Sequence, residues 1–492
     1  MGKTQRNARQ GVSKRVSKNP QKGFLSRLTG GDSFRRNLLL IPLAAFLVKI
    51  VFIIRIPSIA WPGIDPNQYR LANFWLGADG ENYISGLNAL ARDGIFSPEG
   101  ILNYWPAGYP ILLYLIGLPF RSLTLVSTGL IQTVIYALAA AYFVDCLAKT
   151  RLKRFALVIA LILGFNPTLS FGTYSIGYES FVAALLLVAV GLMVNEFQQR
   201  KDSWFSKEAT LAALAISLAS FMQPRMVVSG LLLFFFWAIA TRTRLVALGF
   251  LAITMALSLL FPALLVARNV VATDQASIST NLGVTMRIGA GPGASGGYVN
   301  EANQLTCPEV EGTAAEKDNA VVRCVIDWYL SNPGEAAPLM ARKALYYWSP
   351  WFGPVANGTM ARNPWNQKHP FKSTVQTQEG FDLIYGSAGK VVSWAWVVAT
   401  LFFMGFGFSI LWRLNGVERL LGIVSLGIVA INMLVSMATI GDHRFRLPAA
   451  GLSLFLQAVG LVGAFRKDKK RVVGPEEKLL WKSFSRTTNL TT

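Results

Sequence analysis

Residues 420–440 read LLGIVSLGIVAINMLVSMATI, twenty-one positions without a charge. A helix rises about 1.5 Å per residue, so this stretch crosses roughly 30 Å of hydrocarbon. Residues 123–144 (LTLVSTGLIQTVIYALAAAYFV), 245–267 and 391–412 are equally uncharged, and 37–54 carries only Lys49. The 492-residue chain is 52% hydrophobic and only 15% charged, against about 25% charged in a typical soluble domain. Such a chain is an all-α polytopic membrane protein.

Spans are expected near 38–56, 123–147, 155–172, 179–197, 209–223, 226–240, 245–267, 390–412, 420–440 and 447–465, about ten helices in all. The apolar stretch 109–120 is short and Pro-flanked. We read it as interfacial or re-entrant, because a span there would move every later basic turn to the other side. The formal net charge is +21. Well over half of the 47 Lys and Arg lie in residues 1–36 and 466–492 and in the turns 149–154, 198–208, 241–244 and 413–419. The positive-inside rule then puts both termini and these turns in the cytoplasm, in a multi-pass protein of the cell membrane. The basic excess is directed at anionic membrane lipids, not at nucleic acid.

The chain divides into a basic cytoplasmic tail (1–37), an N-terminal membrane module (38–267) with a first outer loop at 57–122, an extracytoplasmic domain (268–389), C-terminal membrane helices (390–465) and a second basic tail (466–492). Both outer loops are expected to be structured. In the second, amphipathic patterns at 314–330 and 335–347 are separated by Asn332-Pro333-Gly334. Cys307 and Cys324 lie in that loop, where an oxidising compartment permits a disulfide. Cys146 falls within a span. His369 and His443 are the only histidines, too few for a His-rich metal site.

Ionisable groups at a membrane boundary carry the functional signal. Asp79 and Glu81 lie in Gly77-Ala78-Asp79-Gly80-Glu81-Asn82-Tyr83, ahead of a helical pattern. Asp79 also suits the N-cap of that helix. Glu179 lies in Tyr174-Ser175-Ile176-Gly177-Tyr178-Glu179, where it could equally stabilise a helix N-terminus. Arg225, Arg268, His443, Arg444 and Arg446 sit at outer membrane edges. They could snorkel, or, facing inward, bind a phosphate.

In this order along the chain, five pieces resemble the GT-C superfamily of polyprenyl-phosphate-dependent glycosyltransferases. The nearer branch is that of the protein O-mannosyltransferases and lipid A aminoarabinose transferases. The pieces are Asp79–Tyr83 with Pro106-Ala107-Gly108-Tyr109-Pro110; Glu179; Arg268-Asn269 with Ser279–Gly283 and the Gly-rich 289–298; residues 327–350; and Arg444-Phe445-Arg446-Leu447-Pro448. The resemblance implies a GT-C bundle that moves a sugar, with inversion, from a polyprenyl-phosphate donor at the outer face to a hydroxyl of a lipid, glycan or protein acceptor. It implies Asp79 as the base, with Glu81 as the alternative because Gly80 separates the two acids. Tyr83, Tyr109, Glu179, Arg225, Arg268, Asn281, His443, Arg444 and Arg446 become substrate-binding candidates, with Arg268 and Arg444 on the donor phosphate. No cofactor and no metal are expected. A flippase of lipid-linked sugars, a polysaccharide polymerase or ligase, and a non-catalytic assembly protein are the competing readings.

Overall fold

A computed structural model describes residues 40–41, 43–48, 75–76, 79–166, 169–170, 173, 175–199, 202–297, 301–348 and 387–465. Both basic tails lie outside the described residues, as do His369 and most of the predicted span at 38–56. The architecture is helical. Fifteen helices of seven residues or more are described: α1 Gly80–Asp93, α2 Gly108–Phe120, α3 Thr124–Ala148, α4 Ala156–Phe165, α5 Glu179–Gln199, α6 Lys207–Met222, α7 Met226–Thr241, α8 Arg244–Ser258, α9 Leu260–Thr273, α10 Leu282–Ile288, α11 Ala314–Ser331, α12 Pro333–Trp348, α13 Ser387–Leu414, α14 Gly416–Ala438 and α15 Leu447–Phe465.

Among the described residues, five helical stretches are long and apolar enough to cross a membrane: Gly108–Ala148, Glu179–Gln199, Trp394–Leu414, Gly416–Ala438 and Arg444–Phe465. The expected single helix at 245–267 is instead the pair α8 and α9, bent by 42° at Leu259. Pro262 sits in the first turn of α9, where its missing N–H costs no helical bond. The hydroxyl of Ser217 on α6 accepts from the Phe261 amide at 2.9 Å, so the break leaves that amide satisfied. If this pair is one span, the count is six, below the ten anticipated. The shortfall is partly one of length. Helices α6 and α7 have 16 residues each, about 24 Å of helix, and α4 has ten. The 109–120 segment is the 13-residue helix α2, turned into α3 through Arg121 at φ 47°.

The core lies around α5, which packs on α3, α6 and α15. Outward faces of α8 and α13 expose Leu245, Leu248, Val398 and Phe402, surface that suits lipid and not water. Helices α13 and α15 touch backbone to backbone. A Cβ on Gly460 would stand 2.0 Å from the Phe403 carbonyl oxygen, so only glycine permits that approach.

The basic turns gather at one end of the bundle. There Arg242 is buried against Glu196, whose other oxygen accepts from the Trp237 indole at 2.9 Å. Nearby, the Arg151 guanidinium donates to the Leu414 carbonyl at 2.8 Å, and its backbone amide donates to Glu418. At the other end stand α10 to α12. Thr313 and Glu316 close a capping box on α11, and Cys307 is bonded to Cys324. Helices α11 and α12 break at Asn332, where the Asn-Pro pair disfavours helix continuation.

Candidate functional site

Two short strands build the site. Trp75–Leu76 pairs in parallel with Ser175–Ile176, in the register Trp75 to Ser175 and Leu76 to Ile176. Each strand runs into a helix three residues later: Asp79 is the N-cap of α1, and Glu179 opens α5. The ladder therefore delivers one carboxylate from each strand to the same place. Tyr109 on α2 secures the second strand. Its hydroxyl donates to Gln132 at 2.8 Å and accepts from the Gly177 amide at 2.9 Å, while Gln132 donates to the Thr173 carbonyl. Tyr109 is thus a brace of the site, fully buried and fully bonded.

Between the acids lies Arg444, in the turn His443–Arg446 that links α14 to α15. Its Nη1 donates to Asp79 Oδ2 at 2.7 Å, and its Nε stands 3.6 Å from Glu179 Oε1. All three side chains are 15% exposed or less. Asp79 spends its carboxylate on this guanidinium and makes no side-chain cap bond to α1. The turn is itself fixed. Asp442 Oδ1 accepts from the Arg444 amide at 2.8 Å. Arg225 stacks on Phe445 and donates to the Phe445 carbonyl at 3.1 Å. With the Gln223 amide oxygen turned towards it, Arg225 also donates there through Nη2 and Nε. Arg446 donates to the Tyr347 carbonyl at 3.1 Å. Burial pushes the Asp442 carboxyl up to about 6 despite Arg444 beside it.

Tyr83, Tyr109 and Tyr178 form an aromatic wall, with ring centroids 5.0 to 6.2 Å apart. Burial raises the Tyr83 phenol well above its ordinary value and the Tyr178 phenol to about 12, so both are neutral donors. The Tyr83 hydroxyl is buried without a hydrogen bond among the described residues.

Several expected site residues are elsewhere. Glu81 is exposed on the first turn of α1. Arg268 is buried on α9 and donates to the carbonyls of Ile95 and Ser97 and to the side chains of Asn103 and Asn269. These bonds tie Arg268 to residues 95–103 and to Asn269 beside it. Asn281 occupies the N-cap position of α10 without a side-chain capping bond. The side chain of His443 lies outside those described. Among the described residues no three His, Cys, Asp or Glu side chains are grouped to hold a metal.

Asp442 and Lys343 were not singled out from sequence. Lys343 on α12 is fully buried, and its amine donates to Tyr329 at 2.6 Å and to the Thr439 carbonyl. Tyr347, one turn further along α12, receives Arg446, so α12 grips both ends of the segment that carries Arg444. Burial lowers the Lys343 amine from 10.5 to about 7. Between these values the unfolded chain binds the proton that the folded chain has released, so stability rises with pH. Thermal stability of the solubilised protein is expected to climb from pH 7 to 9, and Lys343→Met is expected to flatten that climb. An unchanged slope in the variant would exclude Lys343 as its source.

Beside Arg446 a cleft opens among α12, α13, α14 and α15, lined by Tyr347, Trp348, Trp396, Val429, Leu447 and Leu454 among others. It reaches Arg446 but not Asp79, Glu179 or Arg444.

Fold and site together define a polytopic helical membrane protein with a buried carboxylate–arginine cluster at one end of its bundle. No family profile and no curated protein matches the chain. Solved structures of archaeal oligosaccharyltransferases from Archaeoglobus fulgidus are similar to it. AglB in complex with an inhibitory peptide and a dolichol-phosphate is 15% identical with a TM-score of 0.47, over 94% of this chain and 55% of that one. An apo form is 16% identical with a TM-score of 0.47, over 92% and 52%. A form tethered to an acceptor peptide is 14% identical with a TM-score of 0.45, over 93% and 54%. The chain spans about half the length of these structures.

Proposed function

We propose that the chain is an inverting membrane glycosyltransferase of the GT-C type, moving a sugar from a polyprenyl-phosphate donor to an acceptor hydroxyl on the extracytoplasmic face. The observation that carries this reading is the 2.7 Å contact between Asp79 and Arg444. The contact brings a carboxylate and a guanidinium together at one end of the bundle, the two kinds of group this chemistry uses. In the reaction, the acceptor oxygen bonds to the anomeric carbon while the bond to the lipid phosphate breaks. The hydroxyl proton goes to Asp79 and the electron pair leaves on the phosphate, which Arg444 stabilises as charge develops. A phosphate leaves as a stable anion, so no general acid is required, and inversion needs one carboxylate on the acceptor side.

Glu179 then orients the acceptor or the sugar, and the Tyr83 hydroxyl contributes a further polar contact. The lipid tail of the donor lies along the bundle from Arg446. A flippase would need ionisable groups midway along its helices. Here the buried Asp79–Arg444 and Glu196–Arg242 pairs sit at helix ends, which favours the transferase. Mass spectrometry of lipid-linked sugars and surface glycans in cells with and without the protein tests the reading. A polyprenyl-phosphate sugar should accumulate in its absence, together with loss of one glycan. Unchanged pools of both would overturn it.

A further inference from the structure

Arg444 is asked to serve two anions. In the structure it already holds Asp79 through Nη1 and faces Glu179 across 3.6 Å, too long for a hydrogen bond. Its Nε is buried without a hydrogen-bond partner. A donor phosphate brings another negative charge to the same guanidinium. With Asp79 and Glu179 beside it, that phosphate meets two competing carboxylates at close range in a site shielded from water, where repulsion between charges is screened weakly. Two ligands that cannot share a cation at full charge are linked, and each weakens the other by the same factor.

We infer that the donor phosphate displaces Asp79 from Arg444, and that this exchange is what frees the base. In the resting protein Oδ2 of the carboxylate is held by the guanidinium. Phosphate takes over the Nη1 donor, Asp79 swings off, and its carboxylate faces the acceptor hydroxyl. Binding is therefore ordered, donor before acceptor, and the base is presented only when there is a sugar to transfer. Glu179 stays as the second carboxylate. Its N-terminal place on α5 keeps it stabilised by the helix dipole when the guanidinium turns to phosphate. The inference rests on the phosphate reading of Arg444 proposed above.

Equilibrium binding of undecaprenyl phosphate to the purified full chain, with undecaprenol as the control for the lipid tail, tests it. Removing a competing charge should tighten binding, so Asp79→Asn is expected to bind undecaprenyl phosphate at least about tenfold more tightly than wild type, a change of about 1.4 kcal/mol. Glu179→Gln should give a smaller gain of the same sign, because its carboxylate makes no hydrogen bond to Arg444. Arg444→Gln should bind the phosphate no better than undecaprenol. If Asp79→Asn binds equally or more weakly while Arg444→Gln loses binding, the exchange is wrong and the phosphate site stands. If Arg444→Gln binds as wild type does, both fall. Should Asp79→Asn fail to fold, Asp79→Ser stands in for it: tighter binding supports the exchange, and unchanged or weaker binding overturns it.

Discussion

Asp79→Asn is expected to lower sugar transfer by roughly 10²–10⁴-fold, the contribution of a positioned general base. The fold should survive the change. Asn keeps the size of Asp, and its amide oxygen can still accept from Arg444 Nη1, which lies 2.7 Å from the native carboxylate. Thermal stability should therefore move far less than turnover. The loss should fall on the chemical step: with the donor bound more tightly and the base gone, both kcat and the donor KM decrease. Glu81→Gln is the matching control. Glu81 is exposed on the first turn of α1 and has no part in the Arg444 cluster, so its variant should transfer at close to the wild-type rate. Turnover of a labelled polyprenyl-phosphate sugar in membranes carrying each variant separates the two acids. A normal rate in Asp79→Asn with a large loss in Glu81→Gln would reverse the assignment.

The choice between those acids shows what the residue pattern could and could not reveal. Uncharged stretches marked the long helices, since a span needs apolar length and little else. Among the described residues fewer stretches are long enough than the ten expected, because apolar composition does not fix length: α6 and α7 have only 16 residues each. Amphipathic spacing and an Asn-Pro break located α11 and α12 to within a residue or two. The convergence of Asp79 and Glu179 was harder to see, because it depends on a two-residue parallel pairing between segments a hundred positions apart. A signal was present nonetheless. Leu76-Gly77-Ala78-Asp79 and Ile176-Gly177-Tyr178-Glu179 share the same order of aliphatic, Gly, any residue and acid. Arg268 shows a different limit. A conspicuous arginine at a membrane edge has the same appearance in sequence whether it awaits a phosphate or already donates to four protein acceptors. Lys343 was overlooked because an amphipathic helix normally turns its lysines to water. Here α12 turns one inward to reach Thr439.

Arg444→Met should be the most damaging single substitution for stability in the site. Met fills much of the aliphatic volume but leaves Asp79 and Glu179 buried with no cation between them. Stripping one partner from a buried ion pair costs about 3–5 kcal/mol. The loss should depend on pH with a defined sign. Asp442 already titrates near 6 in the folded protein, raised from 3.8 by burial and held down in part by Arg444. A carboxyl whose folded value lies above its unfolded one binds more protons folded than unfolded between the two, so stability falls as pH rises through that window. Removing the arginine lifts the folded value further and widens the window upward. The stability deficit of Arg444→Met relative to wild type is therefore expected to shrink as pH drops from 7 to 5, read as thermal unfolding of the solubilised protein at each pH. Arg444→Lys should recover part of the stability, since it restores a positive charge. It should not recover lipid-phosphate binding, since an ammonium lacks the planar fork of N–H donors that a phosphate engages in pairs. A variant lacking the guanidinium that unfolds at the wild-type temperature across this range would show that the acids do not depend on Arg444 for their charge.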